Sequence, residues 1–392
     1  MKLPISAQQF LAEYWQQKPL YLPQAIPGFR SPITPDELAG FALDADIESR
    51  LIWQDKGIWG QADGPFSDTS FQRQDLWTLL VQQMDRWHPA IHQLRLSPSF
   101  LPNWRFDDVM VSYAVEGAGV GPHFDRYDVF LLQGLGQREW HLGPACDENT
   151  PQLGSNGLNL IPEFEPDATF LLNPGDALYV PPGIAHWGIA RSASMTFSIG
   201  LRAPPIAALL ARRTDAVLER LSTASLLEDG ATSVLDSRPG EITVAHLANA
   251  RDAIANAIDA LDDGRWLGEI LTEQGDSLAD NTACFSTPSH TGRVRLSADT
   301  RLAWREHNDS LDVFIDGECI AASSYALPYL MALCSGDSVE QQALTLPAQS
   351  SVTPCPNLRL WSLIPAPRTN RQAPHYRGRD TCPDHNKTVT PM

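Results

Sequence analysis

The sequence predicts a mainly β protein with α-helical additions, whose core is a double-stranded β-helix, the jelly roll of cupin-type barrels. Three observations predict it. Between residues 104 and 202 the segments WRFDDVMVSYAVEG, YDVFLLQG, REWHLG, ATFLLNPGDALYVPPG, HWGIA and SMTFSIGLR are short, apolar or alternating, and most are broken by Gly, Pro or Asn. Two of these blocks carry side chains suited to a metal, GPHFD and YVPPGIAH. After Arg202-Ala203-Pro204-Pro205 the period changes, and apolar residues recur every three or four positions.

Taken in order, AQQFLAEYWQ carries Phe10, Leu11, Tyr14 and Trp15 at helical spacing, and KPLYLPQAIPGF reads as a strand closed by Pro and Gly. In SPITPDELAGFALD, Thr34 before Pro35 with Glu37 following is an N-cap with Pro in the first turn. SRLIWQ and GIWGQADGPF are expected strands, and WTLLVQQMDRW (77–87) an expected core helix with Leu79, Leu80, Met84 and Trp87 on one face. Residues 1–90 thus form an α/β flank of the barrel, and 91–204 the barrel itself. Within it, GPACDENTPQLGSNGLNLIPEFEPD is polar and acidic, and is expected as a surface insertion near the mouth.

Beyond it, IAALLARRTDAVLERL, VAHLANARDAIANAIDALDD and WLGEILTEQ make residues 205–280 a helical region whose exposed helix pair suits a homodimer contact. Residues 285–365 form a small module with strands at VRLSADTRLAW, LDVFIDGECIAA and LRLWSLIP and a helix at ALPYLMALCSG, an order that resembles a winged helix. The tail 366–392 is polar and Pro-containing and is expected to be disordered. Its His375, Cys382 and His385 fit no closed zinc set.

Composition narrows the function. The 392 residues are 43% hydrophobic, ample for two or three domains, and show neither an export signal nor a membrane-length apolar run, so a cytoplasmic protein is expected. Six scattered cysteines read as reduced thiols. With 47 acidic against 29 basic side chains the net charge is −18, which disfavours direct nucleic-acid binding and favours a basic partner.

The chemistry centres on three side chains. His123 and Asp125 stand two apart in a strand-like segment, so both leave one face while Phe124 leaves the other. His186, brought alongside by the jelly roll, completes two histidines and a carboxylate, the facial set of a non-haem Fe(II) site with its opposite face open to a co-substrate and O₂. Each alone has an ordinary reading as a core residue or a turn neighbour; together they point to a metal. Arg138 opens the strand after the turn QGLGQ, and alternation sends it to the same side as Trp140 and Leu142. If that side is the interior, its guanidinium needs an anion, and a dicarboxylate held by the metal at its other end is the match. Ser112, Thr196 and Ser198, on neighbouring strands, are candidate hydroxyl donors or simple barrel filling.

The blocks FLAEYWQQKPLYLPQAIPGF, SRLI, DDVMVSYAVEGAGVGPHFDRYDVFLLQGLGQREWHLG and LNPGDALYVPPGIAHWGIA resemble the bacterial ribosomal oxygenases of the JmjC type. The resemblance covers residues 5–205 closely and the remainder loosely, and the family's aromatic ending is not matched beyond about residue 350. It implies Fe(II), 2-oxoglutarate and O₂, with hydroxylation of an arginine β-carbon (the 3-position) in large-subunit ribosomal protein sixteen and dimerisation through the helical region. It also implies that His123, Asp125 and His186 hold iron, that Arg138 grips the far carboxylate of 2-oxoglutarate, and that Ser112 assists. Asp108, Asp128 and Glu116 are the candidates to receive the substrate guanidinium. The rival readings are a metal-dependent cupin enzyme without 2-oxoglutarate, a 2-oxoglutarate oxygenase acting on another basic protein, and a catalytically silent cupin that binds the ribosome.

Overall fold

The computed structural model describes residues 1–155, 158–228, 238–260, 264–273, 293–307 and 310–340. Its first two helices begin where local chemistry satisfies their free amides. Ser6 accepts from the Gln9 amide to start α1 (Ala7–Glu13). Thr34 and Glu37 form a reciprocal capping box, with Pro35 in the first turn, to start α2 (Pro35–Phe41). Strand β1 (Leu20–Leu22) lies between them, and β2 (Ser49–Asp55) and β3 (Ile58–Asp63) follow as a hairpin.

The expected helix over 77–87 is a correction. Leu76–Val81 is strand β4, and only Met84–Trp87 is helical, as α3. Trp77, Leu79 and Val81 bury one face of this strand and Thr78 and Leu80 the other, so no polar alternation betrays it. Gln83, at φ 53°, breaks the backbone between strand and helix. Helix α4 (Pro89–Arg95) completes the flank.

The barrel strands are β5 (Phe106–Ala114), β6 (Asp128–Leu135), β7 (Arg138–Ala145), β8 (Leu153–Ser155), β9 (Leu158–Leu160), β10 (Ala168–Leu172), β11 (Ala177–Val180), β12 (Ile184–Ala190) and β13 (Ser194–Leu201). An eight-stranded antiparallel sheet runs β1-β11-β6-β13-β5-β4-β2-β3 and faces a three-stranded sheet, β10-β7-β12. Alternation along each strand separates two cores. Phe130, Leu132, Tyr179, Phe197 and Ile199 pack outward against Phe10, Leu38 and Ile91 of the flanking helices. Val129, Leu131, Leu178 and Val180 point inward to Trp140, Leu142 and Leu172 of the small sheet.

The polar stretch after β7 is more than a surface insertion. Its hairpin, β8 and β9, buries Leu158 and Leu160 with Ile52 and Leu80, against Trp59, Met110 and Val120. Ile161, also buried, and Phe164, edge-on to Trp187, extend this contact.

Three helices follow, α5 (Ile206–Leu218), α6 (Val244–Asp259) and α7 (Arg265–Thr272), in the helical segments the periodicity predicts. The C-terminal module pairs β14 (Arg293–Val294) with β18 (Val339–Glu340) and builds a meander from β15 (Leu302–His307), β16 (Ser310–Ile315) and β17 (Glu318–Ser323), followed between them by α8 (Leu327–Cys334). LDVFIDGECIAA is thus a hairpin and not one strand. Asp316 and Gly317 both take positive φ (48° and 88°), the backbone of a tight two-residue turn. The expected strand LRLWSLIP and the tail 366–392 lie outside the described residues.

Candidate metal centre and co-substrate pocket

His123 lies just before β6 and His186 on β12, and one antiparallel bridge joins them. The His123 amide donates to the His186 carbonyl (3.1 Å) and the His186 amide to the His123 carbonyl (2.8 Å). Two turns aim the side chains. Gly121, at φ +83°, presents its carbonyl to His123 Nδ1 at 2.9 Å. Gly183, at φ +78° in the Pro-Pro-Gly turn, donates its amide to the Asp125 carbonyl at 2.7 Å; a Cβ there would meet the Cys146 carbonyl at 2.8 Å. His186 Nδ1 is in turn 2.9 Å from the Ile184 carbonyl.

With both Nδ1 atoms held by backbone oxygens, both Nε2 atoms are left as lone-pair donors. One ligand atom from each of His123, Asp125 and His186 falls within 4.8 Å of the others, and His186 Nε2 is 3.6 Å from Asp125 Oδ2. Burial, reinforced by His123, pushes the His186 pKa down to about 4, so the imidazole is neutral at physiological pH, the form that binds a metal. Two neutral nitrogens, one carboxylate and a fixed second set of hydrogen bonds fit a divalent transition metal.

Four residues further along β12, Ala190 pairs with Arg138, roughly 13 Å from the His186 level at strand rise. Arg138 is 4% exposed, and its burial lowers the guanidinium pKa to about 10. Nη1 donates to Ser112 Oγ (2.9 Å), while Nε (3.2 Å) and Nη2 (3.0 Å) donate to Ser194 Oγ. Among the described residues no carboxylate pairs with it. Trp140, on the same face, has a buried indole N–H without an acceptor among them. A buried cation supported only by hydroxyls, beside an unused N–H, fits an anionic group.

Ser112, predicted as a contact, is therefore Arg138's partner. Ser194 was not predicted; it lies on β13 with Thr196 and Ser198, in the sheet facing Arg138's strand, and only the packing of the two sheets brings it to the guanidinium. Thr196 donates to Gln133 Oε1 (2.9 Å), which commits its hydrogen elsewhere. Ser198 is buried on the same face, opposite Met110 and Leu131.

The three acidic candidates stand in different places. Asp128 is fully buried and engaged by Tyr179 (2.6 Å), Arg105 (3.1 Å) and Gln16 (3.1 Å). Glu116 follows the Ala114 end of β5, beside Ala190, and so lies at the Arg138 end of the barrel, away from the metal group. Asp108 lies at the opposite end of β5, on a bulge next to Val109, with its carboxylate against Gly200 of β13. Desolvation, together with the charges of Asp125 and Asp108, raises the Tyr127 phenol pKa, although part of this side chain is exposed.

A jelly roll holding a His-x-Asp and His group near one end and a buried arginine beyond it has the layout of a JmjC-type oxygenase domain, and the JmjC domain family model matches residues 93–209. The chain is 34% identical over 278 residues, 71% of its length and 74% of the relative's, to ribosomal protein uL16 3-hydroxylase of Escherichia coli. It is 37% identical over 210 residues, 53% of this chain and 52% of the relative, to a probable ribosomal oxygenase of Haemophilus influenzae. A crystal structure of E. coli YcfD superposes with a TM-score of 0.70 at 30% identity, covering 88% of this chain and 93% of that one. A structure of that ribosomal oxygenase in complex with cobalt and 2-oxoglutarate superposes at 0.68 and 29% identity, covering 87% and 92%. The chain belongs to the JmjC-type ribosomal oxygenase family.

Proposed function

We propose that this protein is an Fe(II)- and 2-oxoglutarate-dependent hydroxylase of a ribosomal protein, acting on the β-carbon of an arginine in the bacterial large-subunit protein uL16. The observation that carries the reading is the buried guanidinium of Arg138, without a carboxylate partner among the described residues, at the far end of the pocket from His123, Asp125 and His186. A metal-dependent cupin enzyme without 2-oxoglutarate would have no use for it. The relative named a uL16 3-hydroxylase and the cobalt and 2-oxoglutarate complex of YcfD support the same assignment.

In this reading His123, Asp125 and His186 hold the metal, and Fe(II) with 2-oxoglutarate and O₂ supplies the oxidising chemistry that converts C–H to C–OH as the co-substrate becomes succinate. The chain's own part is to orient and exclude. Arg138, steadied by Ser112 and Ser194, receives the distal carboxylate. Trp140 and Leu142 wall the pocket from water. Asp108, at the metal end, receives the substrate guanidinium, and the net charge of −18 speeds encounter with a basic ribosomal protein in the cytoplasm. Thr196 and Ser198 contribute polarity without direct grip.

Residues 205–280 serve dimerisation. Ile206, Leu210 and Leu218 of α5, and Val244, Leu247 and Ile254 of α6, are exposed apolar residues at helical spacing, a stripe that a second copy would cover. Within residues 285–365, the described strands and helix between 293 and 340 are read as part of a winged-helix-like module, and no direct nucleic-acid binding is expected of it.

The test is mass spectrometry of uL16 incubated with protein, Fe(II), 2-oxoglutarate and O₂. One added oxygen on a single arginine peptide is expected. Succinate release without any change in ribosomal peptide masses would assign a different basic substrate.

A further inference from the structure

This inference rests on the arginine-directed reading above and concerns the neighbours of Asp108. Three carboxylates crowd this end of β5, and two of them are claimed. Asp85 accepts from the Val109 amide (2.9 Å) and pairs with Arg95 (3.1 Å). Asp107 pairs with Arg301 at 2.8 Å, although the two are far apart in sequence. Asp108 accepts from the Gln83 amide (3.2 Å) and has no cation within ion-pair distance among the described residues.

Arg301 comes from the C-terminal module. The segment before β15 is fastened to the barrel flank, because Arg95 donates to the Ala298 carbonyl (3.3 Å) and Arg86 pairs with Asp299 (3.4 Å). Arg301 is also anchored at its own backbone, where its amide donates to Asp316 Oδ1 (2.8 Å) and its carbonyl accepts from the Asp316 amide (3.1 Å). The guanidinium is therefore delivered to Asp107 by a fixed element, and its side chain is only 16% exposed.

Asp107 and Asp108 sit on a β-bulge, between Phe106 and Val109 that share one core; Asp107 reaches out to Arg301, while Asp108 Oδ1 lies 3.2 Å from where a Cβ on Gly200 of β13 would stand. We propose that Arg301 is a positioning residue for substrate recognition: by holding the Asp107 carboxylate on the C-terminal module, it leaves Asp108 as the one carboxylate of this cluster that meets a substrate guanidinium.

The electrostatics agree with the geometry. Burial, then Asp85, then Asp107 raise the Asp108 pKa to about 7, against the Gln83 amide and Arg86. Arg95 and Tyr127 also sense Asp108, while Arg202 faces Arg301 and Asp107. Losing Arg301 uncovers the charge on Asp107 and favours the protonated form of Asp108, which no longer attracts a guanidinium. A mere staple between modules would not behave this way, because deleting the Asp107 charge could not repair the loss of a staple.

The experiment uses the full chain as wild type, Arg301→Met, Arg301→Lys and the Arg301→Met/Asp107→Asn double variant. The Asp108 carboxyl is titrated by carbon-13 NMR of Asp-labelled protein, its signal assigned by Asp108→Asn. In parallel, kcat and KM are measured against pH for an arginine peptide of uL16. In Arg301→Met the Asp108 midpoint should rise by about half a pH unit to one unit. KM at pH 7 should rise about 3- to 10-fold with kcat retained, and the Lys and double variants should restore both. An unmoved Asp108 midpoint in Arg301→Met, or a double variant as impaired as the single one, overturns the proposal. If the titration moves as expected but wild type leaves the arginine peptide unmodified, the arginine reading fails, and the recognition role falls with it.

Discussion

Replacing Arg138 by Met separates a ligand grip from a structural prop. In the free protein the guanidinium is buried without a counter-ion among the described residues, and lowering its pKa to about 10 corresponds to roughly 3 kcal/mol against the charged form. The sign follows from the depressed pKa of a base: the penalty is present in full below pH about 10, fades as pH rises from there towards the unfolded value, and is gone above it. Three hydrogen bonds to Ser112 and Ser194, two of them sharing one acceptor, offset most of it at about 1 kcal/mol each. The variant's ligand-free stability should therefore lie close to that of wild type. Binding should behave differently, since truncating one partner of a buried charged pair costs about 2–5 kcal/mol, or roughly 30-fold to several thousand-fold in Kd. Differential scanning fluorimetry with Mn(II), without oxygen, reads both quantities. At a 2-oxoglutarate concentration near 100 times the wild-type Kd, stabilisation should be about 2.7 kcal/mol for wild type and below about 1 kcal/mol for the variant. A large loss of ligand-free Tm with an undiminished 2-oxoglutarate shift would refute the assignment and make Arg138 a prop.

Other consequences are open to simpler measurements. Ser194→Ala removes an acceptor shared by two guanidinium nitrogens and should weaken 2-oxoglutarate by about 3- to 10-fold with metal affinity unchanged, as calorimetry on the Mn(II)-loaded protein would show. Asp125→Ala should abolish the thermal shift produced by Mn(II) alone; retention of that shift would move the metal elsewhere. Asp108→Asn should stabilise the ligand-free protein increasingly as pH rises from about 4 to about 7 and then level off, because a raised carboxyl pKa makes ionisation the costly state; a flat difference across that range in thermal melts would contradict it. Leu210→Glu with Leu247→Glu should convert dimers to monomers in light scattering, and an unchanged mass would remove the α5 and α6 stripe from the interface.

What could be read from the chain and what could not divide along physical lines. His123 and Asp125 were legible because a spacing of two on a strand dictates a common face, and His186 because a Pro-Pro-Gly turn announces where its strand begins. Arg138 was legible by the same alternation. Ser194 was not, since β13 also carries Thr196 and Ser198, and only the packing of one sheet on the other decides which hydroxyl meets the guanidinium. Strand β4 read as a helix because both of its faces are buried, and a continuous apolar run carries no period. The ion pair from Asp107 to Arg301 leaves no local mark at all, because its partners meet only after two modules dock.

The single bridge between His123 and His186 also bears on how this centre tolerates change. Main-chain groups, which every amino acid supplies, set the spacing of the two imidazoles, so deleting one ring leaves the other where it was. An Asp125→Gly protein would keep both nitrogens and open a berth the size of a carboxylate, into which formate or a halide from solution could settle. The scaffold thus offers a place to exchange one ligand for another without rebuilding the barrel around it.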